Sequence, residues 1–205
     1  NDNQSIIVLF GQPLFEFDWY RATISFFLES IPWNQEPLLI YKTHPKESIE
    51  SIEWVKGKFS SKLYKETRII SDQDSYHVIA GSDITASIFS TVGYDLQNML
   101  VRSGQAFSLP IYLFYNEECR DWYKEYTKLQ TIPMSDKGMS LLIEKESNFN
   151  NILKTAMSNE SKIECLNNLK QHFQIINQNA VSIVIESLVS GFTRDCYPKV
   201  QKKRL

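Results

Sequence analysis

The chain has 205 residues, 42% of them apolar and 13% aromatic, enough to bury a substantial core within one domain. Its formal net charge of -2 gives no general attraction to nucleic acid, so no nucleic-acid partner is expected. Three cysteines (Cys119, Cys165 and Cys196) lie far apart without CxxC spacing, which argues against a zinc site or a disulfide framework and for reduced thiols in a cytosolic protein.

From the N-terminus, Asn1 to Ser5 is polar and the apolar run Ile6 to Phe10 is too short for the core of a signal peptide. The chain starts on Asn1 rather than Met, which reads as a piece cut from something longer. Ser5 to Phe10 (SIIVLF) is rich in β-branched residues and ends at Gly11 and Pro13, the pattern of a buried strand and a loop. Tyr20, Ile24, Phe27, Leu28 and Ile31 recur at helical spacing over Trp19 to Ile31, with Asp18 as the expected N-cap and Pro32 as the stop. Pro37 to Thr43 (PLLIYKT) is a second strand and Glu47 to Phe59 a helix. Thr67 to Ser71 is a third strand, and Asp72 to Ala80 a short helix capped by Ser71 or Asp72. Asp83 to Ser87 is a short strand, Thr91 to Arg102 a helix closing before Gly104, and Phe107 to Phe114 a fifth strand that Pro110 weakens or makes an edge.

Strands and helices thus alternate over residues 5–115, the signature of βαβ units. The expected fold class is α/β: a Rossmann-like parallel sheet of about five strands with helices on both faces. Beyond it, Asn116 to Lys128, Ser147 to Met157, Lys162 to Phe173 and Ala180 to Ser190 read as helices, and Lys199 to Leu205 as a basic tail. One domain over 1–205 is expected, with a helical part over 116–198. No stretch approaches the ~20 apolar residues that span a bilayer, so no transmembrane segment is expected.

Loops that follow parallel strands share one rim, where ligands of open α/β sheets bind. The loop after the second strand reads Lys42-Thr43-His44-Pro45-Lys46-Glu47. Pro45 fixes its own φ and biases His44 toward an extended conformation, so a stiff loop presents a donor imidazole and two ammonium groups. That suits a phosphate oxygen, and it also fits a surface histidine in a turn. Ser87-Ile88-Phe89-Ser90-Thr91-Val92-Gly93 follows a strand and opens a helix, where hydroxyls and amide N–H groups make an anion site or simply cap the helix. Gly11 and Gln12 follow the first strand, where a glycine lets backbone approach a ligand or merely turns the chain. There is no GxGxxG, Walker A, GxSxG or HExxH motif. His77 and His172 read as structural or surface residues, and Glu117, Glu118 and Asp121 as a solvated acidic face. Glu144 and Glu146 lack a metal-ligand partner at helical spacing, and no metal is expected. Trp122 to Tyr126 reads as packing against the C-terminal helices, or as a partner surface.

Taken jointly, Ile40-Tyr41-Lys42-Thr43-His44-Pro45 and the later Ala80 to Asp95 (AGSDITASIFSTVGYD) resemble the nucleotide-binding half of certain bacterial GT-B-type transferases. These include polysialyltransferase-like and sialyltransferase-like enzymes, capsule Kdo transferases and CDP-glycerol glycerophosphotransferases. The resemblance covers residues 5–115. It implies that His44 with Pro45 contacts the nucleotide phosphate and stabilises the leaving group, and that Ser90 and Thr91 help hold the phosphates. Gly11, Gln12, Lys42 and Ser87 complete the expected nucleotide-binding set. It implies one half of a two-domain enzyme making a surface polysaccharide in the cytoplasm or at the periphery of the inner membrane. A nucleotide sugar would be its donor substrate, without a further cofactor. The acceptor site and general base would lie in an N-terminal domain that this chain does not contain. Two other readings stay open: a catalytically silent Rossmann-like interaction module, and a nucleotide-sugar epimerase-like protein, for which no acid/base carboxylates stand out.

Overall fold

The apolar runs between Ile6 and Ile143 pair into a sheet. A computed structural model describes residues 4–32, 36–61, 67–133 and 135–173. Among these, β1 (Ile6–Phe10), β2 (Leu38–Lys42), β3 (Thr67–Ile70), β4 (Ile84–Ser87), β5 (Leu109–Leu113) and β6 (Leu141–Ile143) form one six-stranded sheet. The order is β3-β2-β1-β4-β5-β6 and every pairing is parallel. The described helices are α1 (Asp18–Ser30), α2 (Ile49–Ser61), α3 (Ser75–Ala80), α4 (Val92–Ser103), α5 (Glu117–Thr127), α6 (Phe149–Met157) and α7 (Asn159–His172). The fold is the expected Rossmann-like parallel α/β sheet.

Side-chain alternation along β5 shows how the helices divide between its faces. Tyr112 packs under α4, where a Cβ on Gly93 would meet its ring at 2.8 Å. Tyr115, three residues further on, donates its hydroxyl to Thr23 O of α1 at 2.5 Å. An odd spacing on extended chain reverses the side chain, so α1 and α4 cover opposite faces. Phe26 and Phe27 of α1 meet Phe149 of α6 edge-on at 5.7 Å, while α7 packs against α4. β4 and β5 are buried along their whole length, as parallel strands covered on both faces are.

Several local expectations are corrected. A sixth strand, Leu141–Ile143, extends the sheet into the region expected to be helical; three residues between polar turns are too short to show a period. Pro110 lies in an interior strand, opposite Thr85 of β4, and the β5–β6 ladder starts only at Ile111, so its missing N–H removes no bond to β6. Asp18 is the first residue of α1 and not its cap; the capping position is Phe17, without a side-chain bond. α3 starts at Ser75 and is capped by Asp74, which accepts from Tyr76 N–H at 2.7 Å, and not by Ser71 or Asp72. α2 starts at Ile49, which leaves Glu47 in the preceding turn. α4 closes at Gly104, whose φ of 69° suits glycine and whose N–H returns to Leu100 O at 2.9 Å. The chain divides into a unit ending at Phe173 and a second over 174–205. The helix expected over Ala180 to Ser190 and the tail Lys199 to Leu205 lie outside the described residues.

Candidate functional site

The winding of the sheet reverses between β1 and β4. The chain builds outward from β1 to β2 and β3, then crosses to the other side of β1. Loops after β1 and β4 therefore part, and a crevice opens at the carboxyl ends of the strands. A cleft of about 190 Å3 lies there. It is lined by Phe10 and Gly11 after β1, Thr43, His44 and Pro45 after β2, Ser75 of α3, and Ser90, Thr91, Val92 and Asp95 of the β4–α4 junction. Two larger hollows of about 530 Å3 lie elsewhere, one near Ala80 and Arg102, the other near Ser30 and Lys154. Neither is lined by a histidine or by a residue that directly follows a strand.

Hydrogen bonds fix the His44 turn. Thr43 N–H donates to Ile70 O at 3.0 Å, and Glu47 N–H donates to His44 O at 2.9 Å. Lys46 N–H donates to His44 Nδ1 at 3.0 Å. An amide can only donate, so Nδ1 is the acceptor and the neutral ring carries its proton on Nε2. Desolvation lowers the imidazole pKa from 6.5; Glu47 opposes the fall, and Lys46 and Lys42 add to it. The ring is therefore neutral at pH 7, with one N–H to offer.

Glu47 stands behind that turn. Its Oε2 accepts from His44 N–H at 3.0 Å, and its Oε1 accepts from Ser51 Oγ at 2.6 Å and from the Tyr41 hydroxyl. Tyr41 Oη lies 3.3 Å from Tyr20 Oη, which accepts from Gln12 N–H at 2.9 Å. Burial pushes both phenols far above their ordinary value, with Glu47 adding to the rise at Tyr20 and Tyr20 and Glu47 adding to it at Tyr41, so both stay protonated. Gly11 is required here, because a Cβ would collide with Glu47 Oε2 and Tyr41 Oη.

Of the expected site residues, Gly11, His44, Pro45, Ser90 and Thr91 line the cleft together. Gln12, Lys42 and Ser87 are buried beside it and act as struts. Gln12 Oε1 accepts from Phe89 N–H at 3.2 Å, which ties the loop after β1 to the loop after β4. Lys42 Nζ donates to Thr43 O at 3.2 Å and to Ser71 O at 3.0 Å, so its ammonium ties β2 to the chain after β3. Ser87 Oγ accepts from Ser90 N–H at 3.3 Å. The first amides of α4 are engaged as well: Val92 N–H donates to Ser90 Oγ at 3.3 Å and Gly93 N–H to Ser90 O at 3.4 Å. What this junction presents to the cleft is therefore chiefly side chain. Phe10, Thr43, Ser75, Val92 and Asp95 complete the lining and were not expected. Asp95 has a legible signal, since it follows Thr91 by four residues, one helical turn. Its carboxylate accepts from the Tyr76 hydroxyl at 3.4 Å.

The remaining candidates fall outside the cleft. His77 and His172 are exposed. Among the described residues, Trp122 packs on other aromatic rings. It stacks on Phe89 at 5.5 Å and on Tyr126 at 4.9 Å, and meets Phe17 and Trp19, an aromatic cluster of the rim. The described thiols, Cys119 and Cys165, are buried, which pushes each up to about 12 and removes them as nucleophiles at neutral pH. Among the described residues no group of three His, Cys, Asp or Glu could hold a metal ion, and no helix is long and apolar enough to cross a membrane. No protein-family model matches the chain, and no curated protein matches it.

Proposed function

We propose that this chain is the donor-binding half of a glycosyltransferase that takes a nucleotide-activated sugar for surface polysaccharide synthesis. The observation that carries the reading is the convergence of His44, Ser75, Ser90 and Thr91 on one cleft at the reversal point of the sheet. A neutral imidazole with its proton on Nε2 donates one hydrogen bond to a phosphate oxygen without adding fixed charge. Hydroxyls of Ser75, Ser90 and Thr91 supply further donors, and the positive end of the α4 dipole favours an anion at the same place. As the bond to the sugar breaks, negative charge builds on the nucleotide phosphate, and these donors stabilise it. Asp95 suits a ligand hydroxyl, since a carboxylate accepts hydrogen bonds and repels phosphate. The cleft is smaller than the roughly 300–1,000 Å3 of a typical ligand pocket. It fits the phosphate portion, and the rest of the donor extends outward, where the resemblance places an acceptor-binding domain.

Calorimetry with CMP, CDP, UDP and GDP tests this directly. His44→Ala removes a hydrogen bond to a charged group, a loss of about 1.5–3 kcal/mol or roughly 10- to 100-fold in affinity. An affinity unchanged in that variant sinks the reading. A competing reading, a silent interaction module, draws on the open outer face of Tyr126, which is 75% exposed at the end of the aromatic stack. Failure of all four nucleotides to raise the melting temperature favours that module.

A further inference from the structure

The most heavily bonded side chain near the cleft does not line it. Glu47 accepts hydrogen bonds from His44 N–H, Ser51 Oγ and Tyr41 Oη, and so joins the turn after β2, the start of α2 and the end of β2. Tyr41 passes the connection to Tyr20 of α1, and Tyr20 passes it to Gln12 N–H in the loop after β1. Gln12 then reaches Phe89 N–H with its side chain, next to Ser90 on the facing wall. The chain of bonds runs from one wall of the cleft to the other through buried groups. A carboxylate that takes three donors exceeds what a solvated surface glutamate needs, and Gly11 gives up a side chain to make room for it.

We propose that Glu47 is the positioning residue of this cleft: it holds the His44–Pro45 turn closed, thereby fixing Nε2 as the ring's donor, and it anchors the buried chain that spaces the His44 wall from the Ser90 wall. The ring geometry follows from the turn. Lys46 N–H reaches Nδ1 only while the turn is closed, and the carboxylate on His44 N–H closes it. Without that anchor the ring interconverts between tautomers and rotamers, and a ligand must order it on binding. The ligand part of this inference rests on the nucleotide reading; the ring part does not.

The experiment uses the whole chain and two probes. Long-range proton–nitrogen correlation spectra report which nitrogen of His44 carries the proton, and CMP titration reports affinity. The wild-type ring shows the single Nε2–H form. Glu47→Ala, folded by circular dichroism, shows averaged ring nitrogens and about 10-fold weaker CMP binding. Glu47→Gln, which keeps an acceptor for His44 N–H, restores the single form and most of the affinity. A Glu47→Ala ring identical to wild type overturns the proposal. If Glu47→Ala does not fold, amide exchange in the unmodified protein decides. His44 N–H must then be strongly protected, although its neighbours Pro45 and Lys46 are exposed; exchange at the unprotected rate overturns the proposal. If CMP does not bind the wild type, the nucleotide reading loses that support, while the ring spectra and the amide protection still decide the role of Glu47.

Discussion

His44 keeps its proton on one nitrogen because a backbone amide two residues away claims the other. Protonating Nδ1 would set one donor against another, and desolvation at the rim adds to that cost. An imidazole pKa below 6.5 means that the unfolded chain binds more protons near that pH. The stability this group contributes is thus complete above pH 6.5 and is lost as the pH falls from 6.5 through the folded value. Titration of the ring by NMR should give a midpoint below 6.5, and CMP should raise it, since phosphate favours the charged ring. A midpoint that saturating CMP leaves in place puts the nucleotide elsewhere. The cleft residues legible in the sequence are those whose location follows from their place after a strand: Gly11, His44, Pro45, Ser90 and Thr91. Lys42 occupies the same kind of position, yet its ammonium turns toward backbone carbonyls, a direction that only the neighbouring strand β3 decides. Glu47 reads in sequence as the first residue of a helix, and its three donors come from a separate strand, the adjacent turn and α2.

At the level of elements, the long periodic segments were legible and the short ones were not. β1, β2 and α1 carry enough apolar repeats to define their type, whereas β6 has three residues and becomes a strand only by pairing with β5. Caps were misplaced for a related reason: Ser71, Asp72 and Asp74 are all chemically able to cap α3, and the turn geometry selects Asp74. The join between α7 and the sheet includes an ion pair that no local pattern announces. Lys162 is 4% exposed, and its Nζ meets Asp83 Oδ1 at 2.9 Å, while Asp83 Oδ2 accepts from Ile6 N–H at 2.9 Å. Asp83→Ala strands a buried ammonium and leaves the first amide of β1 unpaired, at a cost of about 3 kcal/mol. Lys162→Met keeps the stem's packing and removes the buried charge, so it should cost less than half as much. Urea unfolding of both variants checks the order, and equal losses would show that the ion pair and not the stranded charge dominates.

For the molecule as a whole, alternation of strand and helix announced a parallel sheet, but not the order of its strands. That order is set by which crossovers let α1 and α6 share one face while α4 and α7 share the other. It places β2, β1, β4 and β5 inside and β3 and β6 at the edges. Hydrogen exchange should therefore be slowest in the four inner strands, and fastest in β3, whose residues are nowhere fully buried. β1 amides that exchange as fast as those of β3 would contradict this order. The same order splits the sheet into two sequential halves, β1 to β3 and β4 to β6, joined by one exposed passage at Ser71 to Asp74. Each half brings one bank of the cleft: Gly11 and His44 from the first, Ser75, Ser90 and Asp95 from the second. Neither half alone forms the cleft, so a ligand that filled it would act as a coincidence detector, reporting that both halves have formed and have met in register.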